Sequence, residues 1–316
     1  MSQAATKETP SGADYRSVTQ RKAGSQGFWA SSFSRFFRDK LSVLALVIFV
    51  IIALLTVGSP WIAQTILKQE RDTIDFNLLT MGYQPPVGPG VGGHLLGTDE
   101  LGRDQAVRVL YGGQVSLSVG FLTAIISIFI GTTLGLLGGY FGGIIDDGVN
   151  ASVQIINNIP SLFLLIILSI IWKPNVLSLS IIIGLIGWTG TTRFIRGAVL
   201  SLRSRDYVDA ARVSGASTLR ILMVHILPNV ASLMLVQAGF DVVGAMLTEA
   251  GLSFLGFGIS VPVPSWGNML SDSQLYFTSA PWMVYFPAFA IFLTILCVYL
   301  VADGLRDAFD PRLKGK

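Results

Sequence analysis

Two carboxylates, Asp241 and Glu249, stand in or just beside an apolar stretch, Glu249 near its end. An ionisable group in or beside a membrane span is costly to desolvate, so it is expected to face a cavity, water or a partner rather than lipid. Two roles are open to Asp241: lining a translocation path, or pairing across a subunit interface. Asn157 and Asn158, with Gln154 and Pro160, pose the same question in the first half of another apolar run. Asn157, Asn158, Asp241 and Glu249 are therefore the candidates for a translocation path or a subunit interface. For Glu249 the plainer role is a lattice of hydrogen bonds that holds an adjoining loop. The polar cluster from Gly97 to Asp104 reads as turn chemistry. Catalytic patterns are missing. No Gly-x-x-x-x-Gly-Lys-Ser/Thr phosphate loop occurs, so the chain has no such cradle for ATP. No His-Glu-x-x-His helix occurs either, and His94 and His225 fall on opposite sides of the membrane in the topology below, which excludes zinc catalysis within one chain. Gly-x-Ser-x-Gly is absent, and the apolar runs supply no base to a serine. The single cysteine, Cys297, lies in an apolar run and reads as a small buried side chain, with no disulfide to form.

The elements that must position these groups are membrane spans. Of 316 residues, 51% are hydrophobic and 13% charged, and the mean hydropathy is +0.62, too apolar for a soluble domain. The net charge of +3 comes from basic residues beside apolar runs rather than from a separate tail, which points to lipid and away from nucleic acid. Apolar runs at 41–57, 115–138, 151–172, 176–192, 230–247 and 283–302 give six spans. Residues 1–40 read as a polar, disordered tail ending in an interfacial amphipathic helix, in which Phe28, Trp29, Phe33, Phe36 and Phe37 interleave with Arg35, Arg38 and Lys40. The run at 41–57 starts too late for a signal peptide and is expected to be a retained first span. Residues 58–114, rich in Pro and Gly, form an extramembrane loop, because an irregular backbone cannot cross lipid with its polar groups unsatisfied. Gly139 to Gly143 with Asp146 and Asp147 is expected to be a turn. A core of five spans fills 115–302, and 303–316 is a second tail. With both ends cytoplasmic, that side collects all but Lys68, Arg71, Arg103, Arg108 and Lys173 of the 22 lysines and arginines, a strong positive-inside asymmetry.

The longest polar interruption in the second half of the chain, within a loop at 203–228, is then cytoplasmic. Asp206 and Asp209 are spaced as an N-cap and a third helical residue, so a short helix is expected to begin there. Gly215 permits a left-handed turn, and Ser217 can cap a second helix whose Leu219, Leu222, Met223 and Ile226 recur on one face. Pro228 is expected to bound this elbow. An exposed apolar helix face of this kind suits a groove on a partner.

Asp209, Ala210 and Ala211, then Gly215, then Leu227 and Pro228 resemble the EAA loop of ABC importer permeases, with Asp209 in place of the usual Glu and His225 where the general motif has Ile. His225 through Asn229 is similar to the oligopeptide, dipeptide and nickel branch. So are His94 with Gly97 through Asp104, Thr248 and Glu249 with Ser253 through Gly256, and Pro264 through Gly267. The resemblance runs from Phe33 to Lys314. It implies an all-α membrane protein of six transmembrane helices with cytoplasmic EAA-type coupling helices and both termini cytoplasmic, in the inner membrane of a prokaryote. It implies that Asp209, Ala210, Ala211, Gly215, Leu219, Leu222, Leu227 and Pro228 couple to an ATPase. It further implies a second, homologous permease chain, two ATP-binding subunits that hold the ATP and Mg, and an extracytoplasmic substrate-binding protein. No cofactor is expected on this chain. Di- and oligopeptides are the implied cargo, with nickel chelates and oligosaccharides as alternatives; an ion-coupled transporter or channel, with Asp241 as coupling site, is the alternative from another class.

Overall fold

The computed structural model describes residues 28–309. The expected disordered segment before Phe28 and the end of the second tail lie outside the described residues. Within them the chain is helical and has no strand; Thr98 and Asp104 make an isolated antiparallel bridge. The helices used below are α1 (Phe28–Phe36), α2 (Lys40–Val57), α3 (Gln105–Phe141), α4 (Gly143–Asn158), α5 (Ser161–Ile171), α6 (Val176–Leu202), α7 (Asp206–Val213), α8 (Thr218–Phe254), α9 (Trp266–Asp272) and α10 (Trp282–Phe309). Five of them, α2, α3, α6, α8 and α10, are long and apolar enough to cross a membrane. The sixth expected span, 151–172, is not a single rod: α4 and α5 meet at an angle of 84°. Pro160, which has no N–H to donate, stands as the N-cap of α5, and Ile159 before it is extended, so the helix cannot run through.

Other boundaries differ from expectation as well: α6 runs on to Leu202, α8 from Thr218 to Phe254, and α10 to Phe309, into the expected second tail. The turn expected across Gly139 to Asp147 contracts to Gly142, whose φ of +68° breaks the chain; Asp146 and Asp147 are helical residues of α4. The second long helix begins at Gln105, ten residues before its apolar run, because Asp104 caps it by accepting from the Val107 N–H at 2.9 Å and because Gln105 and Arg108 are buried.

The pair α3 and α6 forms the most extensive helix contact of the fold. Its closeness rests on glycines: a methyl group at Gly131 would lie 2.6 Å from Thr191 Cβ, at Gly135 2.9 Å from Ile195 Cβ, and at Gly139 2.8 Å from Val199 Cβ. Small residues let two backbones approach and pack where lipid provides no hydrophobic drive. Helix α8 packs on α3 and α10, and α10 on α2. Helix α1 lies against α10, with Phe36 buried and the rings of Phe33 and Phe309 6.2 Å apart.

Candidate functional site

The elbow is built by local backbone chemistry. Arg205, not Asp206, is the N-cap of α7, and Asp206 is its first residue. Asp209 is exposed and accepts from Arg212 at 2.7 Å instead of capping. At the other end the Ala216 N–H bonds the Ala211 carbonyl and the Gly215 N–H that of Arg212, a Schellman closure that requires a left-handed residue. Gly215 supplies it with φ +77°. A Cβ at Gly215 would touch nothing within 4 Å, so this glycine serves the turn and leaves open space around it. Ser217 then caps α8, accepting from the Arg220 N–H at 3.4 Å.

The single apolar face expected from Leu219 to Ile226 does not form. Ile221–Ile226 is π-helical, which turns the register, so Ile221, Leu222 and Ile226 are buried while Leu219 and Met223 are exposed. Pro228 does not end the helix either; it sits within the first α-turn after the π segment, where no N–H is demanded of it. Leu227 is half-buried and Pro228 exposed. Val208 of α7 is fully buried, in one apolar cluster with Leu136 of α3, Ile195 and Val199 of α6, and Ile221, Leu222 and Ile226. Tyr207, Val213 and Leu219 of the elbow are exposed, Val213 at 89%. Ala210 is exposed and Ala211 half-buried.

The polar candidates in the body fall in two places. Asp241 of α8 accepts from the Thr191 hydroxyl of α6 at 2.9 Å and from the Gln237 amide at 2.8 Å. It lines a crevice of about 240 Å³ with Thr123 and Ser127 of α3, Gly187 of α6, and Gly244 and Thr248 of α8. Asn157, at the end of α4, accepts from the Thr189 hydroxyl at 3.1 Å, so it too is tied to α6; Asn158 is exposed. A wider cavity, about 690 Å³, runs between α2, α3, α8 and α10, but its walls are apolar apart from Thr132 and Thr133; they include Leu227 of the elbow and none of the polar candidates.

Glu249 is not in the crevice. It is fully buried, accepting from Ser116 at 2.9 Å and from Ser253 at 2.8 Å. Ser116 in turn accepts from the Trp266 N–H at 3.2 Å, and the Trp266 indole donates to the Val109 carbonyl at 2.8 Å. Glu249 thus fixes the segment around α9 against α3.

The cluster from Gly97 to Asp104 does more than turn the chain. His94 is buried with Nδ1 2.8 Å from Asp104 and Nε2 3.3 Å from Asp75, which joins the cap of α3 to the preceding loop. Arg103 and Arg108 converge on Asp99 at 2.6 and 3.2 Å. Burial, and then the charge of Asp99, push the Glu100 carboxyl above its ordinary range; burial does the same to Asp272, against the pull of Arg108 and Arg103. The partners Asp75, Ser116, Thr189 and Thr191 carried no signal in the sequence, since each lies far along the chain from the group it holds. No set of three His, Cys, Asp or Glu side chains suited to a metal occurs among the described residues.

Residues 131–315 match the family model of the binding-protein-dependent transport system inner membrane component, and residues 27–86 match the N-terminal TM domain of oligopeptide transport permease C. The chain is 38% identical over 295 residues to the oligopeptide transport system permease protein OppC of Haemophilus influenzae, covering 93% of this chain and 92% of that one. It is 36% identical over 286 residues to the dipeptide transport system permease protein DppC of Alkalihalophilus pseudofirmus, covering 90% of each. Among solved structures, a chain of the MetNI methionine ABC transporter in an inward-facing conformation superposes with a TM-score of 0.53 at 17% identity, over 64% of this chain and 96% of that one, a likeness of fold. The chain belongs to the family of binding-protein-dependent transport system inner membrane components.

Proposed function

We propose that this chain is one of two permease subunits of an ATP-driven peptide importer, and that its elbow is where an ATPase subunit docks. The names of its relatives support peptides as cargo, with similarity along nine-tenths of the chain. The observation that carries the docking role is the division of the elbow: Val208 is fully buried on the ends of α3 and α6, while Val213 and Leu219 stand in the open on either side of Gly215. Apolar side chains left uncovered on both sides of a rigid turn suit a groove in a partner. A homologous second permease completes the path between Asp241-lined crevices, two ATP-binding subunits hold ATP and Mg, and a substrate-binding protein delivers peptide on the outer face. Both termini and the elbow face the cytoplasm, as the basic residues favour. Access then switches because ATP closure and the loaded binding protein bias the same pair of conformations. The same arrangement serves nickel chelates or oligosaccharides if the binding protein selects them.

The test is reconstitution of the complete complex in proteoliposomes with labelled peptide. Uptake should require ATP, the ATPase subunits and the binding protein. Gly215→Arg should leave the spans inserted and either release the ATPase subunits or reduce stimulation by loaded binding protein about 5- to 150-fold, the usual range of allosteric coupling. A variant that inserts, keeps its ATPases and transports at the wild-type rate would remove the docking role.

A further inference from the structure

We propose that Asp146 and Arg196 are positioning residues that form the joint through which movement of the elbow reaches the bent element α4–α5. The proposal rests on the docking role given to the elbow. Arg196 of α6 meets Asp146 of α4 fork to fork, Nε to Oδ1 at 2.5 Å and Nη2 to Oδ2 at 2.6 Å, across 50 positions of sequence. Such a planar, doubly bonded pair fixes direction as well as distance. The Asn150 amide braces Asp146 from within α4, reaching its Oδ1 at 3.2 Å and its carbonyl at 2.9 Å.

The position of the pair gives it a mechanical role. Ile195 and Val199, on either side of Arg196, are fully buried in the cluster that also holds Val208 of the elbow. A displacement of α7 therefore presses on the same turn of α6 that carries Arg196. Helix α3 closes the site from a third direction: a methyl group at Gly138 would lie 3.1 Å from Asp146 Oδ1, and one at Gly139 3.0 Å from the Arg196 carbonyl. Helix α4 buries only Val149 and Val153, too little apolar surface to make it follow its neighbours by packing alone. Its two ends are pinned to α6 by polar contacts instead, Asp146 to Arg196 and Asn157 to Thr189. Beyond Asn157 comes the 84° bend, and then α5, which buries Leu165 on α6. Thr191, on the stretch of α6 between Thr189 and Arg196, holds Asp241. One segment of α6 thus connects the elbow, the bent element and the crevice. Loss of the ion pair frees the α4 end nearest the elbow while leaving the elbow's own packing intact.

The test uses the full complex in proteoliposomes and reads peptide transported per ATP hydrolysed, which a merely structural role would not alter once the complex has assembled. Asp146→Ala and Arg196→Ala, singly and together, should assemble, retain basal ATPase activity and lose transport per ATP about 5- to 150-fold. The exchange Asp146→Arg with Arg196→Asp should restore at least half of the wild-type ratio, about a twofold loss at most. Should the single variants fail to assemble, the double alanine variant and the exchange carry the test. An assembled double alanine variant with the wild-type ratio, or an assembled exchange variant as uncoupled as the single ones, would overturn the joint. Wild-type complex whose uptake needs no ATP would instead overturn the docking role on which the joint depends, so the two failures are distinct.

Discussion

Ser116 and Glu249 are joined by a 2.9 Å hydrogen bond that crosses from α3 to α8, and the same serine oxygen receives the N–H of Trp266. One buried carboxylate therefore sets where three segments meet. Replacing it by alanine strips the acceptor from two buried hydroxyls, Ser116 and Ser253, each left to carry its own desolvation. Glu249→Ala should destabilise the purified complex by about 1–3 kcal/mol, and Glu249→Gln by less, since an amide oxygen keeps one acceptor. Thermal melts in detergent measure both. An alanine variant that melts with the wild type would show that the loop needs no such anchor.

The glycine ridge between α3 and α6 makes a second prediction. A leucine at Gly135 must displace Ile195 Cβ and the Thr192 carbonyl, which a methyl group alone would approach to 2.9 and 3.0 Å. Overpacking of this kind costs about 1–3 kcal/mol or forces the helices apart. Gly148→Ala on α4 is the control, because a methyl group there meets nothing within 4 Å. Gly135→Leu should lower the melting temperature and Gly148→Ala should not.

The apolar runs were legible because lipid demands length and low charge, and a helix satisfies its own backbone. The elbow was legible in outline, since Gly215 and Ser217 are residue types whose turn and cap chemistry is local. Its finer geometry was not. The i, i+3, i+4, i+7 reading of Leu219 to Ile226 assumes α-periodicity, and the π segment defeats it. Polar residues at Gln154, Asn157 and Asn158 announced that 151–172 was no ordinary span, and Pro160 marked the place, yet the pattern of the run alone did not give the angle of the bend. Pairs such as Arg196 with Asp146, or His94 with Asp75 and Asp104, depend on how helices and loops are set against one another, which no local rule encodes.

Glu100 supplies a pH prediction. Its carboxyl is held above the ordinary glutamate value by burial and by Asp99, and its contact with Arg103 is long, 3.6 Å. The folded chain then binds this proton more tightly than the unfolded chain, so the stability contributed here falls as pH rises from the unfolded value, about 4.3, through the raised folded value. Glu100→Gln cannot ionise. It should melt above the wild type at pH 8, and the difference should shrink as pH is lowered through that window. A constant or growing difference toward acid pH would contradict the assignment.

Topology is open to direct labelling. In a Cys297→Ala background, Thr73→Cys and Ser217→Cys both place a thiol at an exposed position. An impermeant maleimide added to intact cells should label the first and spare the second until the membrane is opened. Labelling of Ser217→Cys from outside would invert the orientation and exclude an ATPase at the elbow.

Asp241 separates an ATP-driven permease from an ion-coupled transporter. Its carboxylate accepts from Thr191 at 2.9 Å and from Gln237 at 2.8 Å, beside a crevice of about 240 Å³. Asparagine keeps one acceptor for Thr191 but turns a donor toward Gln237 or loses that bond, a cost of about 0.5–1.5 kcal/mol. Leucine removes both and leaves the Thr191 hydroxyl, itself fully buried, without its acceptor. In proteoliposomes Asp241→Asn should therefore slow peptide uptake by at most about tenfold, with Asp241→Leu slower still, and both should remain dependent on ATP. Collapse of the proton gradient should change neither the wild-type rate nor that of the asparagine variant. If Asp241→Asn alone abolished uptake, and wild-type uptake followed the proton gradient without ATP, this carboxylate would be the coupling site and the elbow would have no energetic role.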